Sequence, residues 1–384
     1  MRKMAKNKRV YIRTFGCQMN NRDSEVICGL LKEVGYKIVD QSVEANIVII
    51  NTCSVRQHAE DRVWSSIGTF KENQIIGIVG CMAQNYREKI FERAPDVDFV
   101  VGPADIQHIP RIIKDILNSK SKAKNSKLLL RKIWETDGVN RPEGVYHTGF
   151  YEKKDHAYIV ISEGCSNYCS YCVVPFVRGQ LHNRLPLDII KEINIAVDHG
   201  IKNITLLGQN VNAYKAKDFN FIKLIKLIDS IKGLKEFSFL TSHPKDTSKD
   251  LFNSINELKK LKKWLHLPIQ SGSDRILKLM NRGYSVKTYL DLVKDFRKIV
   301  KGGLLTTDII VGFPGETEKD FIETKDLVEK AQFNAAYIFK YSPRINTLAA
   351  KMNDNVSKEE KERRHGIILE LQRKISKSKG ENIK

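Results

Sequence analysis

Apolar residues in this chain fall into short, nearly unbroken runs separated by amphipathic stretches, first between residues 9 and about 118 and again from Asp155 onward. In the first region Val10-Tyr11-Ile12, Ile47-Val48-Ile49-Ile50, Ile75–Val79 and Val97–Val101 have the length and branched character of buried parallel strands. Helices are expected between them. One opens at the capping pair Asp23-Ser24 and stops near Gly35, a second covers 59–70, and a third covers 86–93 with Pro95 closing it. Such alternation predicts a doubly wound parallel α/β domain over residues 1–118.

The pattern then lapses. Lys120, Lys122, Lys124, Lys127, Arg131 and Lys132 stand among serine and asparagine, and residues 133–154 show little periodicity, so 119–154 reads as a basic linker. Six strand–helix units follow, with strands expected at 158–162, 204–207, 237–240, 265–269, 304–311 and 336–340. Helices are expected at 186–198, 221–231, 251–261, 289–300 and 318–329. Six units predict an open, incomplete (β/α)6 barrel over 155–348. Residues 349–384 form a C-terminal helical extension, whose charged helix from Ser357 to about Lys377 is anchored by Ile367, Ile368, Leu369 and Leu371.

With 41% hydrophobic and 29% charged residues the composition is that of an ordinary globular protein. No apolar run is long enough to cross a bilayer, and the basic start Met1-Arg2-Lys3-Met4-Ala5-Lys6 has no apolar stretch behind it, so neither a membrane span nor a secretory signal is expected. The excess of 65 basic over 45 acidic residues, a net charge of +20, suits a polyanionic partner, RNA first, although lysines also simply solvate helix faces.

Cysteine changes the picture most. Seven is an odd number, a poor disulfide framework, and fits metal-bound thiolates in a reducing cytoplasm. Cys165, Cys169 and Cys172 stand at C-x3-C-x2-C spacing after the first barrel strand, at the rim where such barrels do chemistry. Three thiolates hold three corners of a cubane iron–sulfur cluster and leave the fourth iron open to a guest. Structural zinc is the competing reading, but it wants four ligands, and no partner pair or suitably spaced histidine is present. Cys17, Cys53 and Cys81 each follow one of the first three strands, and in an open parallel sheet those loops share one edge. The competing reading is three small buried residues. Cys28 sits mid-helix among Val26, Ile27, Leu30 and Leu31 and reads as core.

The C-x3-C-x2-C loop resembles that of the radical S-adenosylmethionine superfamily. The likeness extends through Gly16-Cys17-Gln18-Met19-Asn20 with Asp23-Ser24-Glu25, Asn51-Thr52-Cys53, Gly80-Cys81, Glu163-Gly164-Cys165, Cys172–Pro175 and Arg178-Gly179. It continues through Ser242-His243-Pro244, His266–Ser273 and Thr307–Glu316, and taken together these segments resemble the methylthiotransferase family over roughly residues 9 to 375. Gln18-Met19-Asn20 is similar to the tRNA-modifying, MiaB-type branch.

The resemblance implies two [4Fe-4S] clusters and S-adenosyl-L-methionine as cofactors. The Cys165/Cys169/Cys172 cluster would chelate and cleave the cofactor, and the auxiliary Cys17/Cys53/Cys81 cluster would carry sulfur. The reaction implied is replacement of hydrogen by a methylthio group at C2 of an N6-isopentenylated adenine beside the anticodon, a C–H that general acid–base groups cannot break. The partners implied are tRNA and an electron donor such as flavodoxin or ferredoxin. Tyr171 matches the aromatic position expected beside the adenine of the cofactor. Gly208, Gln209, Asn210, Ser242, Gln270 and Gly312 follow strands at the rim and are candidate cofactor contacts, each competing with a role as turn or strand cap. Arg344 is a candidate for an anionic group, competing with a plain surface salt bridge. Several departures stand out: Leu181 lies near the family's glutamate position, Asn183-Arg184-Leu185-Pro186 replaces Ser-Arg-Pro, and the family's terminal RNA-binding TRAM β-barrel is expected to be absent. Other expectations are the threonylcarbamoyladenosine or ribosomal-protein aspartate branches, an inactive Fe–S RNA-binding relative, and a non-catalytic electron carrier or redox sensor.

Overall fold

The computed structural model describes residues 8–54, 57–71, 73–122 and 132–379, and the chain forms two compact units. One is Met1–Val160 with Val174–Ile201; the other is Ile161–Val173 with Lys202–Lys384. The chain divides after Val160, and residues 174–201 return to the first unit.

The first unit is built on a six-stranded, all-parallel sheet of β1 (Arg9–Phe15), β2 (Lys37–Ile38), β3 (Ile47–Thr52), β4 (Ile75–Gly80), β5 (Phe99–Val101) and β6 (Ile133–Glu135), in the order 2-1-3-4-5-6. β3 and β4 are buried along their whole length, which is why they read as continuous apolar runs. Val48, Ile50, Ile76 and Ile78 pack there with Val63 and Met82. The parallel α/β expectation holds, but two short edge strands were not anticipated. Lys37–Ile38 has only two residues, and Ile133–Glu135 is half exposed and carries no burial pattern to read.

The helices depart from expectation in instructive ways. α1 (Gln18–Glu33) begins five residues before Asp23, with Cys17 as its N-cap. Asp23 and Ser24 look like caps but lie inside the helix, buried by partners described below. α2 (Gln57–Ile67) ends earlier than residue 70. The helix expected at 86–93 is instead α3 (Cys81–Tyr86), a 3-10 turn and α4 (Ile90–Arg93). α5 (Ile109–Lys122) occupies the start of the expected linker, and its Lys120 pairs with Asp98 at 3.1 Å. Lys124, Lys127 and Arg131, like Met1–Lys6, lie outside the described residues. β7 (His156–Val160), α6 (Val174–Arg178) and α7 (Pro186–Asp198) complete the unit.

In the second unit, β8 (Asn203–Leu207) pairs in parallel with β9 (Glu236–Phe239), and β10 (Trp264–His266) with β11 (Leu304–Val311) and β12 (Ala335–Lys340). Between the two groups the amide of Ser242 reaches the His266 carbonyl at 3.4 Å. The helices α8 (Phe221–Asp229), α9 (Lys249–Glu257), α10 (Asp274–Leu279), α11 (Val286–Ile299) and α12 (Glu318–Ala331) alternate with these strands, an open partial barrel as the pattern predicted. The short α10 was not anticipated. α13 (Lys358–Ser378) is capped by Ser357, whose hydroxyl accepts from the Glu360 amide at 3.1 Å. It buries Arg364, Ile368, Gln372 and Ile375, so the anchoring stripe follows every fourth residue around Ile368 rather than the run 367–371.

Candidate active site

Neighbouring parallel strands place three cysteines along one sheet edge. Phe15 is in register with Thr52, and Thr52 with Gly80. Cys17, Cys53 and Cys81 follow those residues by two, one and one positions, so parallel pairing carries all three to the same edge. Cys53 and Cys81 are buried and Cys17 half-buried. The turns are fixed by side chains. Asn20 donates to the Asn51 side chain at 3.1 Å, and Asn51 donates back to the Asn20 carbonyl at 2.8 Å and to the Ser24 hydroxyl at 2.9 Å. Gly80 has φ +92°, and a Cβ there would lie 2.5 Å from the Asn51 side-chain oxygen, so only glycine fits.

Charge at this edge favours thiolates. The Cys17 thiol is pulled down to about 6 by a hydrogen bond from Cys53, by the Arg178 guanidinium and by the Asn20 and Met19 amides, against the opposing effect of burial. Burial pushes the Cys81 thiol up, and Arg178, hydrogen-bonded to it, partly offsets this. Arg178 is buried against Asp23 at 2.6 Å, and Asp23 also holds Arg141 at 2.7 Å. Sequence reasoning passed over Arg178 as a site residue. Cys28 lies in the core as expected, its thiol raised to about 12 chiefly by burial.

In the second unit, Cys165, Cys169 and Cys172 are half-buried on one loop. α10 and the turn after it hold that loop from behind. The Ser170 amide donates to the Met280 carbonyl at 3.0 Å and its hydroxyl to the Leu279 carbonyl at 2.8 Å. The Asn281 side chain donates to the Tyr168 carbonyl at 3.0 Å, and the Ala349 amide to the Ser170 carbonyl at 2.8 Å. Burial raises the Cys165 thiol, with the Asn167 amide opposing. Tyr171 packs against the cluster of Ile276, Met280, Phe313, Tyr341 and Ala349, and burial pushes its phenol well above the ordinary value, so it stays neutral. Arg282, also missed in the sequence, donates to both Cys169 Sγ and Tyr171 Oη at 3.4 Å. Its signal was faint: an arginine flanked by Asn281 and Gly283, both at positive φ.

The rim residues separate into two groups. At the ends of β8 and β9 lie Gln209 Oε1, Asn210 Oδ1, Ser242 Oγ and His243 Nε2, all buried without a hydrogen-bond partner, with Ser162 Oγ in the same state. A Cβ on Gly208 would stand 2.4 Å from Ser162 Oγ. Buried orphan polar atoms are rare and mark a place where a polar ligand completes the bonding. His243 is held neutral, pushed down to about 2 chiefly by burial, with the charges of Arg282 and Lys245 adding. Its Nδ1 accepts from the Lys245 amide at 3.2 Å, which leaves the proton on Nε2. The backbones of the other two candidates are engaged within the protein. The Gln270 backbone, at φ +75°, bonds Asp308 and Ile310, and the Gly312 amide donates to Glu316 at 2.6 Å.

These donor sets fit the groups the resemblance implies. Each triplet offers three sulfurs beside a buried guanidinium, which suits an anionic cluster, and the orphan atoms suit a polar nucleoside cofactor.

Comparison with known proteins agrees with this geometry. Residues 9–102 match Uncharacterized protein family UPF0004, and residues 159–328 the Radical SAM superfamily. The tRNA-2-methylthio-N(6)-dimethylallyladenosine synthase of Thermoanaerobacter pseudethanolicus is 42% identical, covering 99% of this chain and 81% of that protein. The protein of the same name from Syntrophus aciditrophicus is 41% identical over 95% of this chain and 79% of its own length. Among solved structures, the radical S-adenosylmethionine methyltransferase TsrM from Kitasatospora setae aligns with a TM-score of 0.61 at 12% identity, over 89% of this chain and 77% of that one, a likeness of fold alone. Identity near two-fifths over almost the whole chain goes further than fold. This chain belongs to the radical S-adenosylmethionine methylthiotransferase family, the one that contains the tRNA-2-methylthio-N6-dimethylallyladenosine synthases.

Proposed function

We infer that the protein is a tRNA methylthiotransferase that converts N6-isopentenyladenosine next to the anticodon to its 2-methylthio derivative. The observation that carries this reading is the convergence of Cys17, Cys53 and Cys81 at the ends of three adjacent strands, in a chain that also bears the Cys165/Cys169/Cys172 loop. Cys165, Cys169 and Cys172 would hold the cluster that supplies the electron for cleaving S-adenosylmethionine, and Cys17, Cys53 and Cys81 the cluster that supplies sulfur.

The remaining residues position and exclude. Arg178, fixed by Asp23, keeps charge-balancing donors on the first triplet. Tyr171 closes one side of the second triplet as a neutral, dry surface. Gln209, Asn210, Ser242 and His243 offer two or more acceptors and an Nε2–H donor to the cofactor, and Gly208 keeps backbone and Ser162 in close approach. Gln270 and Gly312 shape the strand ends through their backbones. An electron donor such as flavodoxin or ferredoxin and a cytoplasmic location complete the reading. They are supported by an RNA substrate and by six thiols that must stay reduced. No helix among the described residues is long and apolar enough to cross a membrane.

The test is anaerobic reconstitution with iron and sulfide, then incubation with isopentenylated tRNA, S-adenosylmethionine and reductant. Mass spectrometry of nucleosides is expected to show the methylthio product alongside 5′-deoxyadenosine. Cys53→Ala is expected to form 5′-deoxyadenosine without the methylthio product. Loss of cofactor cleavage in that variant would overturn the division of labour between the two triplets.

A further inference from the structure

Arg282 is buried, 5% exposed, and every nitrogen of its guanidinium is engaged. Nε donates to Tyr284 Oη at 2.7 Å, Nη2 to the Pro268 carbonyl at 3.0 Å, and Nη1 to both Cys169 Sγ and Tyr171 Oη at 3.4 Å. Tyr284 is fixed in turn, donating to the Ile269 carbonyl at 2.9 Å. These partners are a carbonyl, two phenols and a sulfur, and among the described residues no carboxylate pairs with Arg282. Other buried arginines here behave differently: Arg22, Arg141, Arg178, Arg184 and Arg364 each face a carboxylate. A buried charge without a counter-ion is strongly unfavourable. The missing negative charge must lie where Nη1 points, at the sulfur of Cys169.

We propose that Arg282 is the counter-charge of the cluster held by Cys165, Cys169 and Cys172, and a positioning residue that joins that cluster's charge to the placement of the Tyr171 ring. The proposal rests on the reading of this triplet as a cluster site. Three thiolates around a cubane leave a net negative charge that grows by one on reduction, and a fixed cation 3.4 Å from one ligand sulfur favours the reduced form. Arg282 therefore raises the reduction potential, and the same guanidinium holds the phenol of the aromatic residue expected beside the cofactor adenine.

The experiment isolates this cluster in the full chain carrying Cys17→Ala, Cys53→Ala and Cys81→Ala, reconstituted anaerobically. Its midpoint potential is read by redox titration followed by electron paramagnetic resonance. Arg282→Met is expected to disfavour reduction about tenfold, a fall of about 59 mV for a one-electron couple, and Arg282→Lys to recover most of that loss. A potential in Arg282→Met equal to that of the parent overturns the proposal. Should Arg282→Met bind no cluster, the parent labelled with 15N in its arginine side chains decides: a 15N hyperfine coupling to the reduced cluster is expected, and its absence overturns the proposal. If the parent itself assembles no cluster, the reading of the triplet falls first, and the proposal falls with it.

Discussion

Asp23 shows how a single residue misleads and then informs. In the sequence it resembles a helix cap, yet the structure buries it inside α1 between Arg141 and Arg178. Burial alone would raise its carboxyl, but the two guanidiniums hold it below the usual carboxylate range. Its contribution to stability is therefore present above the ordinary carboxylate pKa and is lost as pH falls through the lower folded value. Asp23→Asn removes the carboxylate that Arg141 and Arg178 share and should cost about 3–5 kcal/mol at neutral pH. The difference from the parent should shrink on acidification, as measured by denaturant titration at several pH values. The cysteines were legible because covalent spacing and strand order fix them. Arg178 and Arg282 were not, because only folding brings a lone loop arginine to a thiol.

Elements were readable where one period dominates. α7 runs over Pro186–Asp198 as expected, with proline at its first turn and Gly200 just beyond its end. β3 and β4 announced themselves as apolar runs because both faces are covered. The edge strands and α10 escaped notice because two, three or six residues carry no period. Gly77 shows a constraint that periodicity hides: it lies in β4, and a Cβ there would sit 2.0 Å from the Phe99 ring in β5. Phe99 is fully buried and has nowhere to move. Gly77→Ala should destabilise the first unit by about 1–3 kcal/mol through overpacking, read as a lowered unfolding midpoint.

At the scale of the whole molecule, the excess of 20 positive charges bears on the RNA substrate. Phosphate contacts release counterions, so affinity for isopentenylated tRNA should fall linearly on a log–log plot against salt. Filter binding between 50 and 200 mM salt checks this (concentrations on the order used for such comparisons), and a flat response would remove basic residues from the account of binding. The hydrogen bond between Cys53 and Cys17 has a last consequence. Two thiols that share a hydrogen bond need only lose two electrons and their protons to dioxygen to become a disulfide. A Cys17–Cys53 disulfide would take two of the three sulfurs from that sheet edge. Protein handled aerobically should therefore need a reductant before it can be loaded with iron and sulfide.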